Sequence, residues 1–134
     1  MKSVEVKNLR KIYETNRGRN QYVALKDVSF SINCGEFVAI MGESGSGKTT
    51  LLNILAGLDN STSGSVIIDG KEISKMRDFE LAKYRSRRLG FVFQDFNLLD
   101  TFSLEDNIYL PLVLAGKKYE EMKKRLQPIA EQLG

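Results

Sequence analysis

The octapeptide Gly42-Glu43-Ser44-Gly45-Ser46-Gly47-Lys48-Thr49 constrains this chain more than any other segment. It fits the phosphate-loop pattern G-x-x-x-x-G-K-[ST]. A strand-like apolar run, Phe37 to Met41, leads into it, and a helix-like run, Thr50 to Ala56, leads out. Gly42, Gly45 and Gly47 allow a tight turn whose backbone N–H groups face phosphate oxygens. A helix starting near Lys48 aims its positive end at the same anion. Lys48 has the reach for β- and γ-phosphates, and the Thr49 hydroxyl suits Mg²⁺. The segment therefore predicts strand, glycine loop and helix in an α/β fold, with a bound nucleotide.

The rest of the chain supplies short elements around that loop. Val4 to Leu9 and Val23 to Ile32 alternate apolar and polar residues, as half-buried strands do. Gly18-Arg19-Asn20 is a turn between them, and Asn33-Cys34-Gly35 ends the second. Phe37 to Met41 and Leu89 to Phe93 are nearly continuous apolar runs, which predict strands buried on both faces of a parallel sheet. Ser65 to Gly70 predicts a short strand, and Lys75 to Arg88 a polar helix. Ser103 with Asp106 marks a helix start, followed by a helix to Ala115 that Pro111 should kink. Tyr119 to Leu133 carries apolar residues at helical spacing.

At 134 residues, the chain is the size of one ordinary domain. Its 42% apolar and 28% charged residues are those of a globular protein in water. No run approaches the roughly 18 apolar residues of a membrane span. The single cysteine, Cys34, cannot form an internal disulfide, which points to the cytosol. Seven cations lie between Lys71 and Arg88, against Glu72, Asp78 and Glu80. Such a patch is a solvated face or a surface for nucleic acid or anionic lipid. The segment lacks aromatic interleaving of the kind that stacks bases, so no nucleic acid is expected.

Several segments beyond the loop resemble the ATP-binding subunit of ABC transporters. Asn8-Leu9-Arg10-Lys11-Ile12-Tyr13 is similar to the opening strand whose aromatic residue stacks on adenine. Leu25 to Phe30 is similar to the second strand, and Gly42 to Thr50 is the family's version of the loop. Leu55 to Asp59, Ser63 to Val66 and Phe91-Val92-Phe93-Gln94 match the segments that follow, the last ending in the Q-loop glutamine. Arg88 to Leu99 and Glu105 to Leu112 resemble the branch that exports macrolides and antimicrobial peptides or releases lipoproteins, the bacitracin-resistance type in particular.

The resemblance implies an α/β phosphate-loop NTPase of the ABC type. It would have an antiparallel β-subdomain (1–34 and 64–70), a partial RecA-like parallel core (35–63 and 71–94) and the start of a helical subdomain (95–134). It implies ATP and Mg²⁺ as cofactors. Tyr13, with Tyr22 as the competing aromatic, would stack on the base. Gly42, Glu43, Ser44, Gly45, Ser46, Gly47, Lys48, Thr49 and Thr50 would hold the phosphates. Thr49 and Gln94 would hold Mg²⁺, and Lys48 and Gln94 would act in catalysis. Phe96, Leu98, Leu99 and Phe102 are either core or a groove for a membrane permease, and the resemblance favours the groove. A second ATP-binding subunit would complete a nucleotide sandwich at the cytoplasmic face of the membrane. A soluble ATPase acting on DNA or ribosomes, and a non-catalytic nucleotide-binding protein, are the alternatives.

The departures from the family are specific. The signature Leu-Ser-Gly-Gly-Gln does not occur, nor does an apolar strand ending in Asp-Glu, and there is no histidine to serve as the switch residue. Residues 1–134 alone are therefore expected to turn over little ATP.

Overall fold

Two long strands, β1 (Lys2–Thr15) and β2 (Asn20–Asn33), run antiparallel and form the frame of the computed structural model. The structure describes residues 1–15, 20–92 and 95–134. β3 (Ser63–Ile68) pairs antiparallel with the free side of β1, and β4 (Lys71–Glu72) pairs with β3, giving the order β2-β1-β3-β4. The β3–β4 hairpin turns on Asp69 and Gly70, at φ +48° and +75°. Two central residues at positive φ make the type I′ turn that matches the twist of the strands.

The β1–β2 ladder shifts register at four points, and the central two compensate each other. Between the Val6–Phe30 and Leu9–Val28 pairs, β1 has one extra residue. Between Leu9–Val28 and Lys11–Leu25, β2 has one extra. Asn8 and Asp27, both at positive φ (+47° and +49°), lie at these breaks. The first bulge overrides strict alternation. Val6 and Leu9, three residues apart, are both buried, at 1% and 0% exposure. The Asn8 N–H, removed from the ladder, donates to Ser29 Oγ at 2.8 Å. Gly64 of β3 passes so close that a methyl group there would lie 2.4 Å from the Asn8 carbonyl oxygen. Glycine is required at that crossing.

The helix α1 (Lys48–Leu55) buries Leu51 and Ile54. Ile54, Val66, Ile73 and Leu81 converge on one small cavity beneath it. A 3-10 turn, Ile73–Lys75, and the start of α2 (Asp78–Arg88) complete this side. Burying each such side chain stabilises by about 1.5–3 kcal/mol.

The chain divides into two units, Met1–Ala82 and Lys83–Gly134. The second holds α3 (Leu104–Leu114) and α4 (Tyr119–Leu133). The expected helix start at α3 is a complete capping box. Ser103 Oγ accepts from the Asp106 N–H at 3.1 Å, and Asp106 Oδ2 accepts from the Ser103 N–H at 3.3 Å. Both helices continue through their prolines, Pro111 and Pro128. Tyr109 and Tyr119 meet edge to face, with centroids 5.8 Å apart.

The two strands expected at Phe37–Met41 and Leu89–Phe93 do not form among the described residues. Phe37 to Met41 form no strand, and Phe37 and Met41 are almost fully exposed. Leu89 to Val92 form none either, and Phe93 lies outside the described residues. The sheet among the described residues is antiparallel throughout. An apolar run specifies burial but does not carry its own ladder partner. Strands of this type need neighbours on their edges and cover on both faces.

Candidate functional site

The phosphate-loop segment folds as its glycines dictate. Gly45 and Gly47 sit at φ +79° and +88°, where a side chain would be strained. The Ser46 N–H closes a turn onto the Glu43 carbonyl at 3.2 Å. A methyl group on Gly42 would lie 2.7 Å from Ser46 Oγ. One on Gly47 would lie 2.4 Å from the Ala24 carbonyl oxygen and 2.9 Å from Leu25 Cδ2. The loop is thus folded against itself on one side and against β2 on the other.

The Lys48 ammonium turns back over this loop. It donates to the Gly42 carbonyl at 2.8 Å, the Glu43 carbonyl at 2.6 Å and Ser46 Oγ at 3.3 Å. The first helical bond runs from the Leu51 N–H to the Gly47 carbonyl at 2.9 Å. The N–H groups of Lys48, Thr49 and Thr50 lie ahead of that bond, and no side chain caps them. Thr49 is exposed at the same helix end. Donors, a fixed cation and an accessible hydroxyl converge at one place, a donor set suited to a phosphate group with Mg²⁺.

The two candidate aromatics are cross-strand partners, Tyr13 on β1 and Tyr22 on β2. The Tyr13 hydroxyl donates to Asp59 Oδ2 at 2.7 Å, and the Lys11 ammonium lies 4.6 Å from the centre of its ring. Lys11 also pairs with Asp59 Oδ1 at 2.6 Å and donates to the Asn60 carbonyl at 2.7 Å. Burial pushes the Asp59 carboxyl up, but hydrogen bonds from Lys11, Tyr13 and the Asn60 N–H outweigh it and hold the group below its usual range. The Tyr22 hydroxyl instead donates to the Gly45 carbonyl at 3.0 Å. Sequence reasoning weighed Tyr22 only as a rival base platform. Its contact with the loop had no local signal, because twenty-three residues separate the partners.

Gln94 lies outside the described residues. Of the segment after it, Phe96 is 92% exposed, and Leu98, Leu99 and Phe102 are also exposed. In the basic segment, Lys75 pairs with Glu72 and Arg77 with Glu80, so part of the patch is locally compensated. No described helix is long and apolar enough to cross a membrane.

The family model described as ABC transporter matches residues 25–134. The chain belongs to the ABC transporter family. It is 50% identical over 133 residues to YvcR of Bacillus subtilis, an uncharacterized ABC transporter ATP-binding protein; the match covers 99% of this chain and 51% of YvcR. It is 40% identical over 134 residues to the bacitracin export ATP-binding protein BceA of Halalkalibacterium halodurans, covering 100% of this chain and 52% of BceA. It is 46% identical to the macrolide export ATP-binding/permease protein MacB of Neisseria gonorrhoeae, covering 100% of this chain and 20% of that protein. Among solved structures, the ATP-binding cassette MJ0796, determined as a dimer with ADP and Pi, superposes with a TM-score of 0.83 at 43% identity over 91% of this chain and 53% of that one. This ABC chain thus spans about half the length of YvcR and BceA.

Proposed function

We propose that this chain is the nucleotide-binding part of an ATP-binding subunit that powers an ABC exporter of a peptide, antibiotic or lipoprotein. The observation that carries the reading is the Lys48 ammonium held over the glycine loop, beside helix N–H groups that no side chain caps. Gly42 through Thr50 would bind the phosphates of ATP. Lys48 would neutralise charge on them, and the Thr49 hydroxyl would take one position on Mg²⁺. Mg²⁺ with few protein ligands and several phosphate or water oxygens is the usual arrangement in nucleotide sites. Tyr13, fixed at its hydroxyl, would offer a ring face to adenine. Gln94, at the end of its motif, would supply the second metal contact and orient water. The bound metal supplies charge stabilisation when the phosphoryl group is transferred.

Hydrolysis and transport belong to the intact protein, with a second ATP-binding subunit and a membrane permease at the inner face of the membrane. The exposed run Phe96, Leu98, Leu99 and Phe102 supports a permease-facing surface after Gln94. The names of BceA and MacB support export over an action on nucleic acid. A calorimetric titration with Mg-ATP tests the core of this reading. Lys48→Ala should lose most of the affinity, because charge-assisted contacts to phosphate are removed. Equal binding by wild type and Lys48→Ala sinks it.

A further inference from the structure

We propose that Tyr22 is a positioning residue for the phosphate loop, acting through the Gly45 carbonyl. The inference rests on the nucleotide-binding reading above. A loop that receives an anion must present N–H groups and turn its carbonyl oxygens away, since a carbonyl aimed at a phosphate repels it. Most of this loop is held by packing. Gly42 is closed off by Ser46, and Gly47 by Ala24 and Leu25 of β2. Gly45 is different: a methyl group built there meets nothing within 4 Å. No packed atom closes that side of the residue, and glycine at φ +79° has wide conformational freedom. Two hydrogen bonds hold the Gly45–Ser46 peptide: the Ser46 N–H on the Glu43 carbonyl at 3.2 Å, within the loop, and the Tyr22 hydroxyl on the Gly45 carbonyl oxygen at 3.0 Å, from outside it.

The register of β2 makes this possible. Tyr22, Ala24 and Leu25 reach the loop from one strand, so the wall that closes Gly47 also carries the donor for Gly45. Tyr13, the cross-strand partner of Tyr22, is tied instead to Asp59 past the far end of α1. The pair therefore divides the work. Tyr13 serves the base, and Tyr22 serves the phosphates without touching them. The ring of Tyr22 is a lever, and only its hydroxyl matters to binding.

The test uses the natural full-length protein that carries this sequence, titrated with Mg-ATP and with pyrophosphate. Tyr22→Phe keeps the ring and removes one oxygen. It should weaken both ligands by the same factor, roughly three- to ten-fold, the loss of one hydrogen bond. Tyr13→Ala should weaken ATP and leave pyrophosphate alone. In amide NMR spectra, Tyr22→Phe should shift Gly45, Ser46 and Gly47 while leaving buried Val66 and Ile54 in place; shifts spread through the core would mark a general structural defect and overturn the proposal. Wild-type affinity in Tyr22→Phe overturns it. So does loss confined to ATP, which would make Tyr22 a base contact; Tyr22→Leu would then show the same selective loss. A wild-type protein that binds neither ligand refutes the nucleotide-binding reading itself, and this inference falls with it.

Discussion

Tyr13 and Asp59, forty-six residues apart, are joined by a 2.7 Å hydrogen bond from the phenol to Oδ2. The bond connects the end of β1 to the segment that follows α1. It orients the aromatic ring from the same element that carries the phosphate helix. Lys11 completes the group, with its ammonium on Asp59 Oδ1 and near the Tyr13 ring.

Asp59→Asn should destabilise the protein at neutral pH by about 1–2 kcal/mol, with the figure reduced by partial exposure. The pH dependence has a fixed sign. The Asp59 carboxyl titrates below its ordinary value in the folded state. Its stabilisation is present above the unfolded value, near 4, and is lost as pH falls through the lower folded value. Urea unfolding across pH should show wild type and Asp59→Asn converging only below about pH 4. A constant gap down to the most acid conditions contradicts the ion-pair account.

Gly64→Ala should cost about 1–3 kcal/mol, because its φ is +88° and the new methyl meets the Asn8 carbonyl. Gly70→Ala has a similar φ, +75°, but open space around it. It should therefore cost less, about 1 kcal/mol. Urea midpoints of the two variants compare them directly. Equal losses would mean that the bulge at Asn8 relaxes to admit the methyl.

Asn107→Ala should loosen the loop before α3. The Asn107 amide accepts from the Leu99 N–H at 2.8 Å and donates to the Leu99 and Ser103 carbonyls at 3.1 and 3.0 Å. Removing it frees backbone groups on both sides of the exposed Phe102. Hydrogen exchange at the Leu99 and Phe102 amides should accelerate on the order of ten-fold, the loss of about one hydrogen bond. Unchanged protection would show that the capping box alone holds the loop.

The 134-residue chain on its own should self-associate. Phe37 and Met41 are 99% and 89% exposed, next to the half-exposed Val38 and Ile40. An exposed apolar segment invites association with other chains. Sedimentation should show species larger than a monomer, and the double substitution Phe37→Glu, Met41→Lys should reduce them. A monomer that the substitutions leave unchanged refutes this expectation.

What the sequence determined by itself was local. The phosphate loop, the start of α1 at Lys48, the Ser103–Asp106 capping box and the span of α4 were all legible. Their geometry closes within a few residues, through turns, caps and helical spacing, so the residues that specify each feature stand beside it. The family, too, was legible, because its motifs are short contiguous strings. Tertiary structure decided the rest. It set which neighbours a strand finds, and so it left Phe37 to Met41 outside any ladder despite an unambiguous apolar run. It placed compensating bulges that bring Val6 and Leu9 to buried positions, against the alternation of the residues themselves. It also gave two tyrosines that look equivalent in sequence different partners, Asp59 for Tyr13 and Gly45 for Tyr22. The physical reason is the same in each case. A helix satisfies its backbone within one segment, whereas a strand edge, a bulge or a phenol hydroxyl must find a partner elsewhere in the chain, and only the fold brings that partner near.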